Sequence, residues 1–236
     1  MDEDYPMSEE QRIAMELKKE EKRKKGRKVA VIAILALVAI VFGLFIYEWW
    51  ASRQLQVRKP VIYLYPEETT DVSVKLDFAG KLTCTYPSYQ DGWTVMAQPD
   101  GTLTDADGKV YNYLYWEGRD DSAYDMSKGF CVKGSETAAF LEEALAKLGL
   151  TRREANEFIV YWLPLMEENA YNVISFQKEA YTDRAGLQIS PEPDTVIRVF
   201  MAWYGSKKPV EIPAQELTAP ERTGFTVVEW GGSEIR

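Results

Sequence analysis

Two glutamates stand directly beside tryptophan in this chain: Glu117 follows Trp116, and Glu229 precedes Trp230. A carboxylate next to an aromatic platform is the pairing that glycoside cleavage uses. One carboxyl group acts as acid and the other as nucleophile or base, about 5–5.5 Å apart for retention or ~6.5–9.5 Å for inversion. Glu117 and Glu229 are therefore the candidate catalytic pair of a carboxylate-based envelope glycan hydrolase. The competing reading gives both glutamates to strand ends and both tryptophans to packing. Histidine is absent from all 236 residues. That removes Ser-His-Asp and Cys-His nucleophilic chemistry, imidazole general bases and His-ligated zinc.

Asp105-x-Asp107-Gly108 has the opening spacing of a calcium loop, with Asp120, Asp121 and Asp125 as further oxygen donors. Such a loop needs a bidentate Glu at its twelfth position, and that position holds Trp116. A plain hairpin turn is the expectation, with no metal and no cofactor. The two cysteines, Cys84 and Cys131, are too few for a four-thiolate zinc site. Paired, they would close a loop of about 48 residues and stabilise the domain by roughly 3–4 kcal/mol. Burial as free thiols in strands suits them equally. Residues 51–236 carry 24 aromatic side chains, twelve of them tyrosine. Aromatic platforms on a sheet bind sugars or peptides with large contact area at low entropic cost. Trp116, Tyr161, Trp162, Trp203 and Trp230 are the candidate binding residues.

What positions these groups begins with an uninterrupted apolar run, Val29 to Tyr47. Nineteen residues make roughly 28 Å of helix, close to the ~30 Å hydrocarbon thickness of a bilayer. Glu48-Trp49-Trp50 follows it as an interfacial end. The preceding Lys18–Lys28 segment holds eight Lys or Arg against two Glu, whereas Glu48–Lys59 holds three basic residues. The richer side stays in the cytoplasm. The expectation is a basic cytoplasmic tail over 1–28, a transmembrane helix over 29–47, a linker over 48–59 and an extracytoplasmic domain over 60–236. A cleaved signal peptide normally has a shorter apolar region followed by a small-x-small site, so an uncleaved signal anchor fits better. The bilayer is the partner expected for residues 29–47. Residues 1–50 carry nine basic and nine acidic side chains, so the net charge of −9 belongs to the outer domain. Such a domain is a poor nucleic-acid binder, because phosphate contacts need a basic face.

Ser8 and Gln11 form a capping-box pattern opening a charged helix through Lys25, with Gly26 a loose join to the span. Beyond Lys59-Pro60 the chain turns β-rich. Ile62–Tyr65, Val72–Phe78, Leu82–Tyr86, Trp93–Gln98 and Lys109–Trp116 read as strands. Pro99-Asp100-Gly101 and Asp107-Gly108 read as turns between them. Ser135 is the expected N-cap of a helix carrying Phe140, Leu141, Ala144, Leu145 and Leu148, with Gly149 at its C-terminal end. Thr151 and Glu154 make a capping box for a short turn. Phe158–Leu163, Tyr171–Phe176 and Val196–Trp203 read as strands covered on both faces. Val210–Ile212 and Phe225–Trp230 complete the sheet material. The fold class is α+β, with one compact β-rich domain and one or two helices behind the anchor.

The chain also resembles an uncharacterised bacterial family of membrane-anchored or secreted proteins. The resemblance rests on Lys59-Pro60-Val61-Ile62-Tyr63-Leu64-Tyr65-Pro66, Tyr113-Leu114-Tyr115-Trp116-Glu117-Gly118 and Asn156-Glu157-Phe158-Ile159-Val160-Tyr161-Trp162-Leu163-Pro164. Tyr171-Asn172-Val173-Ile174-Ser175-Phe176 and Val227-Val228-Glu229-Trp230-Gly231-Gly232 belong to the same pattern. It implies one domain over residues 59–232 and carries no activity. The expected function is a membrane-anchored extracytoplasmic binding or interaction module for an envelope protein or polysaccharide. The alternatives are the glycan hydrolase above and a structural subunit of an envelope assembly.

Overall fold

The computed structural model describes residues 9–51, 55–121 and 123–235. The chain divides into two units, Met1–Arg53 and Gln54–Arg236. The first is helix α1, Glu9–Ala51, whose 43 residues make about 64 Å at 1.5 Å each. The helix runs unbroken through Gly26, the position read as a loose join. Its Leu17–Tyr47 portion is long and apolar enough to cross a membrane, with mean hydropathy 3.3 over its most apolar eighteen residues. Ser8 lies outside the described residues.

The second unit is α+β. Its elements begin with β1 (Leu55–Tyr65), β2 (Thr70–Phe78), β3 (Lys81–Tyr86), β4 (Trp93–Ala97), β5 (Leu103–Thr104), β6 (Val110–Tyr111), β7 (Leu114–Asp120) and β8 (Phe130–Lys133). A 3₁₀ turn at Gly134–Glu136 leads into α2 (Thr137–Lys147) and then α3 (Arg152–Met166). The chain closes with β9 (Tyr171–Gln177), a single turn α4 (Glu179–Thr182), β10 (Ala185–Ser190), β11 (Thr195–Ser206) and β12 (Thr226–Glu234). Seven strands form one sheet in the order β3-β7-β1-β12-β11-β9-β8, and five form a second in the order β10-β2-β4-β5-β6. Every pair is antiparallel except β11 with β12.

Side-chain alternation along the central strands divides the interior in two. Val61, Tyr63, Val199, Met201, Val228 and Trp230 point to one face of the large sheet and pack with α2 and α3. Ile62, Leu64, Leu114, Trp116, Phe200 and Val227 point to the other and meet Val72, Val74, Trp93 and Val95 of the small sheet. The result is three layers: helices, large sheet, small sheet. Two glycines allow close approach. The Phe78 ring packs against Gly118, and Trp162 of α3 reaches Gly232 of β12, where an added Cβ would stand 2.7 Å from the indole.

Several elements depart from the expectations. Phe158–Leu163 is helical, inside α3, and Thr151–Glu154 caps fifteen residues with both halves of its capping box present. Ala155, Phe158, Ile159, Trp162 and Met166 form its buried stripe. Ser135 is not an N-cap: it sits in the 3₁₀ turn, and α2 starts after Glu136. Gly149 does end α2, at φ +84°. Lys109–Trp116 is broken at Asn112-Tyr113, so β6 joins the small sheet and β7 the large one. Val210–Ile212 is irregular, and pairing begins at Leu55, within the segment read as linker.

Cys84 on β3 and Cys131 on β8 are free. They occupy opposite edges of the large sheet, six strand steps or about 29 Å apart. A disulfide needs Cα atoms within about 7 Å, so the bond weighed from sequence does not form. Reductant should leave the thermal unfolding of the full chain unchanged. Maleimide should label exposed Cys84 faster than Cys131, whose Sγ accepts the Val210 N–H at 3.2 Å. A melt that shifts with reductant would contradict this topology.

Candidate functional site

Glu117 and Glu229 do not form a pair. The alternation that sends Trp116 toward the small sheet sends Glu117 toward the helices, while Glu229 projects on the Trp116 side. The large sheet lies between the two carboxylates, so no single groove holds them. Glu229 is fully buried. Its Oε1 accepts the Trp116 indole N–H at 3.2 Å, and its Oε2 is bound by Arg198 at 2.6 and 2.7 Å. The same guanidinium stacks 4.8 Å over Tyr181 and donates to the Ala185 carbonyl at 2.6 Å. Both oxygens of Glu229, and Nε and Nη2 of Arg198, are taken by the fold. It is a structural ion pair.

The tryptophan candidates are also structural. Trp116, Trp162, Trp203 and Trp230 are all 0–1% exposed. Of the five aromatic candidates, only Tyr161 reaches the surface. Asp105 serves a turn, as expected. Its Oδ1 accepts the Asp107 and Lys109 N–H groups at 2.9 Å each, and its Oδ2 accepts the Tyr111 hydroxyl at 2.7 Å. Among the described residues no group of three or more acidic or sulfur side chains could hold a metal ion.

The Tyr111 hydroxyl, with the turn N–H groups, holds the Asp105 carboxyl below the usual range, and Asp105 pushes Tyr111 up to about 12. A depressed carboxyl contributes stability above its unfolded value near 4 and loses it as pH falls through the folded one. A raised phenol contributes below about 10 and loses it as pH rises through the folded value. The melting temperature of Tyr111→Phe should therefore trail the wild type by a constant gap between about pH 5 and 9. The gap should close on either side. A gap independent of pH would contradict the pairing.

What the fold does gather around Tyr161 is a tyrosine face centred on Lys59. Strand β1 is bulged between Arg58 and Val61 against β12, and between Val57 and Val61 against β7. Within the bulge Lys59 has φ +55°, a left-handed conformation that non-glycine residues rarely adopt and that the following Pro60 disfavours. Its N–H donates to Glu117 Oε1 at 3.3 Å. Its Nζ stands over three rings, Tyr113 at 5.5 Å, Tyr115 at 5.7 Å and Tyr161 at 5.6 Å. Each contact is an attraction between the ammonium and a ring face. Tyr113 comes from the break before β7, Tyr115 from β7 and Tyr161 from α3, so three elements build one cage. The row continues through Tyr63, edge-on to Tyr113 at 5.4 Å and stacked with Tyr65 at 6.1 Å.

Carboxylates line this row. Tyr63 donates to Glu157 Oε2 at 2.8 Å. Arg222 lies 5.8 Å over Tyr65 while pairing with buried Glu154, the capping-box residue. Burial first, and these acids second, raise the phenols above the usual tyrosine value: Glu157 for Tyr63, Glu154 for Tyr65, Glu117 for Tyr115 and Tyr161. The hydroxyls are thus neutral at physiological pH. They donate and accept hydrogen bonds and do not act as phenolate nucleophiles or bases. The row thus combines aromatic rings, neutral hydroxyls and two cations, Lys59 and Arg222.

The strain at Lys59 offers a test. Lys59→Gly removes the ammonium and frees a backbone that costs about 1–3 kcal/mol to hold. The variant should be no less stable than the wild type. A clear loss of stability would mean that the ammonium–tyrosine contacts outweigh the strain. The sequence reading missed Lys59. Its signal was a Lys-Pro inside an otherwise continuous strand pattern. Tyr113 and Tyr115 were visible as an alternating pair without a partner element.

No family model and no solved structure matches the chain. It is 48% identical over 63 residues to a protein of Butyrivibrio fibrisolvens described as "Uncharacterized protein in bglA 3'region". The match covers 25% of this chain and 65% of that protein, so the chain spans less than two thirds of the relative's length. It agrees with the resemblance to an uncharacterised family. The five sequence blocks of that resemblance fall on β1, β7, α3, β9 and β12, the middle of the large sheet and the helix packed on it.

Proposed function

We propose that the chain is a single-pass, membrane-anchored binding module whose domain stands outside the cytoplasmic membrane. It engages an envelope protein or polysaccharide through the tyrosine face around Lys59. The observation that carries this reading is the cage of Tyr113, Tyr115 and Tyr161 about the Lys59 ammonium, held by a strained bulge at the edge of the helical layer. Strain kept at a surface cluster of this kind is a mark of function. Tyrosine supplies contact area with few rotors to order on binding, and its neutral hydroxyls match hydroxyl- and amide-rich ligands. The basic Lys18–Lys28 flank and the apolar stretch after it support the anchored orientation, N-terminus inside. A glycan hydrolase acting through Glu117 and Glu229 is not supported, because the large sheet separates them.

The orientation is tested by protease treatment of intact cells carrying a tag after Arg236. Loss of the tag in intact cells is the expected result. Protection that ends only on permeabilisation would put the domain in the cytoplasm and overturn the envelope reading.

A further inference from the structure

Strand β11 runs past the end of its neighbour. β9 pairs with it from Ser206 back to Phe200, which stands opposite Gln177, the last residue of β9. Among the described residues, Thr195–Val199 continue with β12 alone paired beside them. Alternation along a strand fixes which way their backbone groups face. The Thr195 N–H donates to Phe225 O at 3.2 Å, and Trp203 O accepts the Ile235 N–H at 2.7 Å, so odd-numbered residues turn toward β12. Phe176, paired with the odd-numbered Met201, turns its own N–H and C=O away from β11. Both go to the Gln215 side chain, at 2.8 and 3.0 Å. Val196 and Arg198 therefore turn their N–H and C=O groups to the open side.

That side is a cavity of ≈ 990 Å³. Val196, Arg198 and Phe200 line it from the strand, Lys178 and Glu179 from the turn after β9, and Leu217 from the segment that leads to β12. The Val196 side chain is 41% exposed there, an apolar group left in the open on a central strand.

We propose that this slot receives an extended polypeptide segment as an added strand, in line with β9 and hydrogen-bonded to Val196 and Arg198. The complementarity is electrostatic. Two N–H and two C=O groups alternate at strand spacing, and an extended peptide presents the opposite sequence of partial charges. Thr195–Val199 span about 16 Å, which sets a segment of about five residues. The mixed lining, apolar at Val196, Phe200 and Leu217 and charged at Lys178 and Glu179, takes its alternate side chains. Gln215 already plays this part in miniature at the adjoining edge, its carboxamide facing Phe176 as a peptide group would. Among the described residues no side chain does so for Val196 or Arg198. The slot lies at the β9 end of the sheet and is independent of the tyrosine face.

The test is a random linear heptapeptide library panned against the full chain in detergent micelles. Selected peptides are then compared on wild type, Val196→Pro and Tyr115→Ala. Proline at 196 deletes one N–H on the open side and no bond to β12. It should weaken the selected peptides by about tenfold or more, while Tyr115→Ala leaves them unchanged. N-methylation of the peptide backbone should abolish binding at alternate residues and spare those between, a readout that does not require the variant to fold. Failure to select any peptide, binding insensitive to N-methylation, or equal binding to a folded Val196→Pro would overturn the proposal.

Discussion

Glu229→Gln should destabilise the domain by about 3–5 kcal/mol, although it changes the shape of the side chain hardly at all. Glutamine can still accept from the Trp116 indole. It cannot neutralise Arg198, whose side chain is only 12% exposed and which would be left as an uncompensated buried cation. Against a typical domain stability of about 5–15 kcal/mol, that loss leaves a marginal fold. The double variant Arg198→Met with Glu229→Gln removes the stranded charge and should recover part of the loss. Urea unfolding of the full chain in detergent, followed by tryptophan fluorescence, measures both. Equal midpoints for wild type and Glu229→Gln would show that the pair contributes little.

Two adjacent residues should give opposite outcomes. Trp162→Ala should cost about 3–5 kcal/mol, because it empties the space between α3 and the large sheet. The indole is fully buried, 6.4 Å from the Trp203 ring and 6.2 Å from Phe158, over Gly232. Tyr161→Ala lies one position along, at the surface, edge-on to that indole at 4.9 Å. It should change stability by no more than about 1 kcal/mol, yet it removes one wall of the Lys59 cage. Thermal unfolding separates the two, and binding separates them in the reverse sense. A Tyr161→Ala protein as unstable as Trp162→Ala would make the tyrosine face part of the core.

The apolar helix, the α+β class and most strands could be read from periodicity and turn residues, since those signals are local. Phe158–Leu163 could not. Five residues in a row favour strands, and Val160, 67% exposed, fills the polar side of α3 and hides its 3.6-residue period. The capping box at Thr151 was the better guide. The site was less legible than the fold. Tryptophan attracts a binding reading, but the size that suits it to a platform also suits it to the interior, and four of the five candidates are core. Pairing Glu117 with Glu229 failed because their facing depends on a register shift in β1 and on the partner strand, neither of which is local. Lys59 escaped notice because only the three-dimensional meeting of β1, β7 and α3 makes it the centre of a cage.

The central claim, that the tyrosine face is the ligand surface of an anchored module, is tested most directly by co-sedimentation. Full-length protein in detergent would be mixed with insoluble envelope polysaccharide and, separately, with immobilised envelope protein extract, alongside Lys59→Gly and Tyr115→Ala variants of verified thermal stability. Retention of the wild type on one of these, reduced at least about tenfold in both variants, is the expected result. Retention unchanged in both variants, or absent for the wild type on either material, would contradict it.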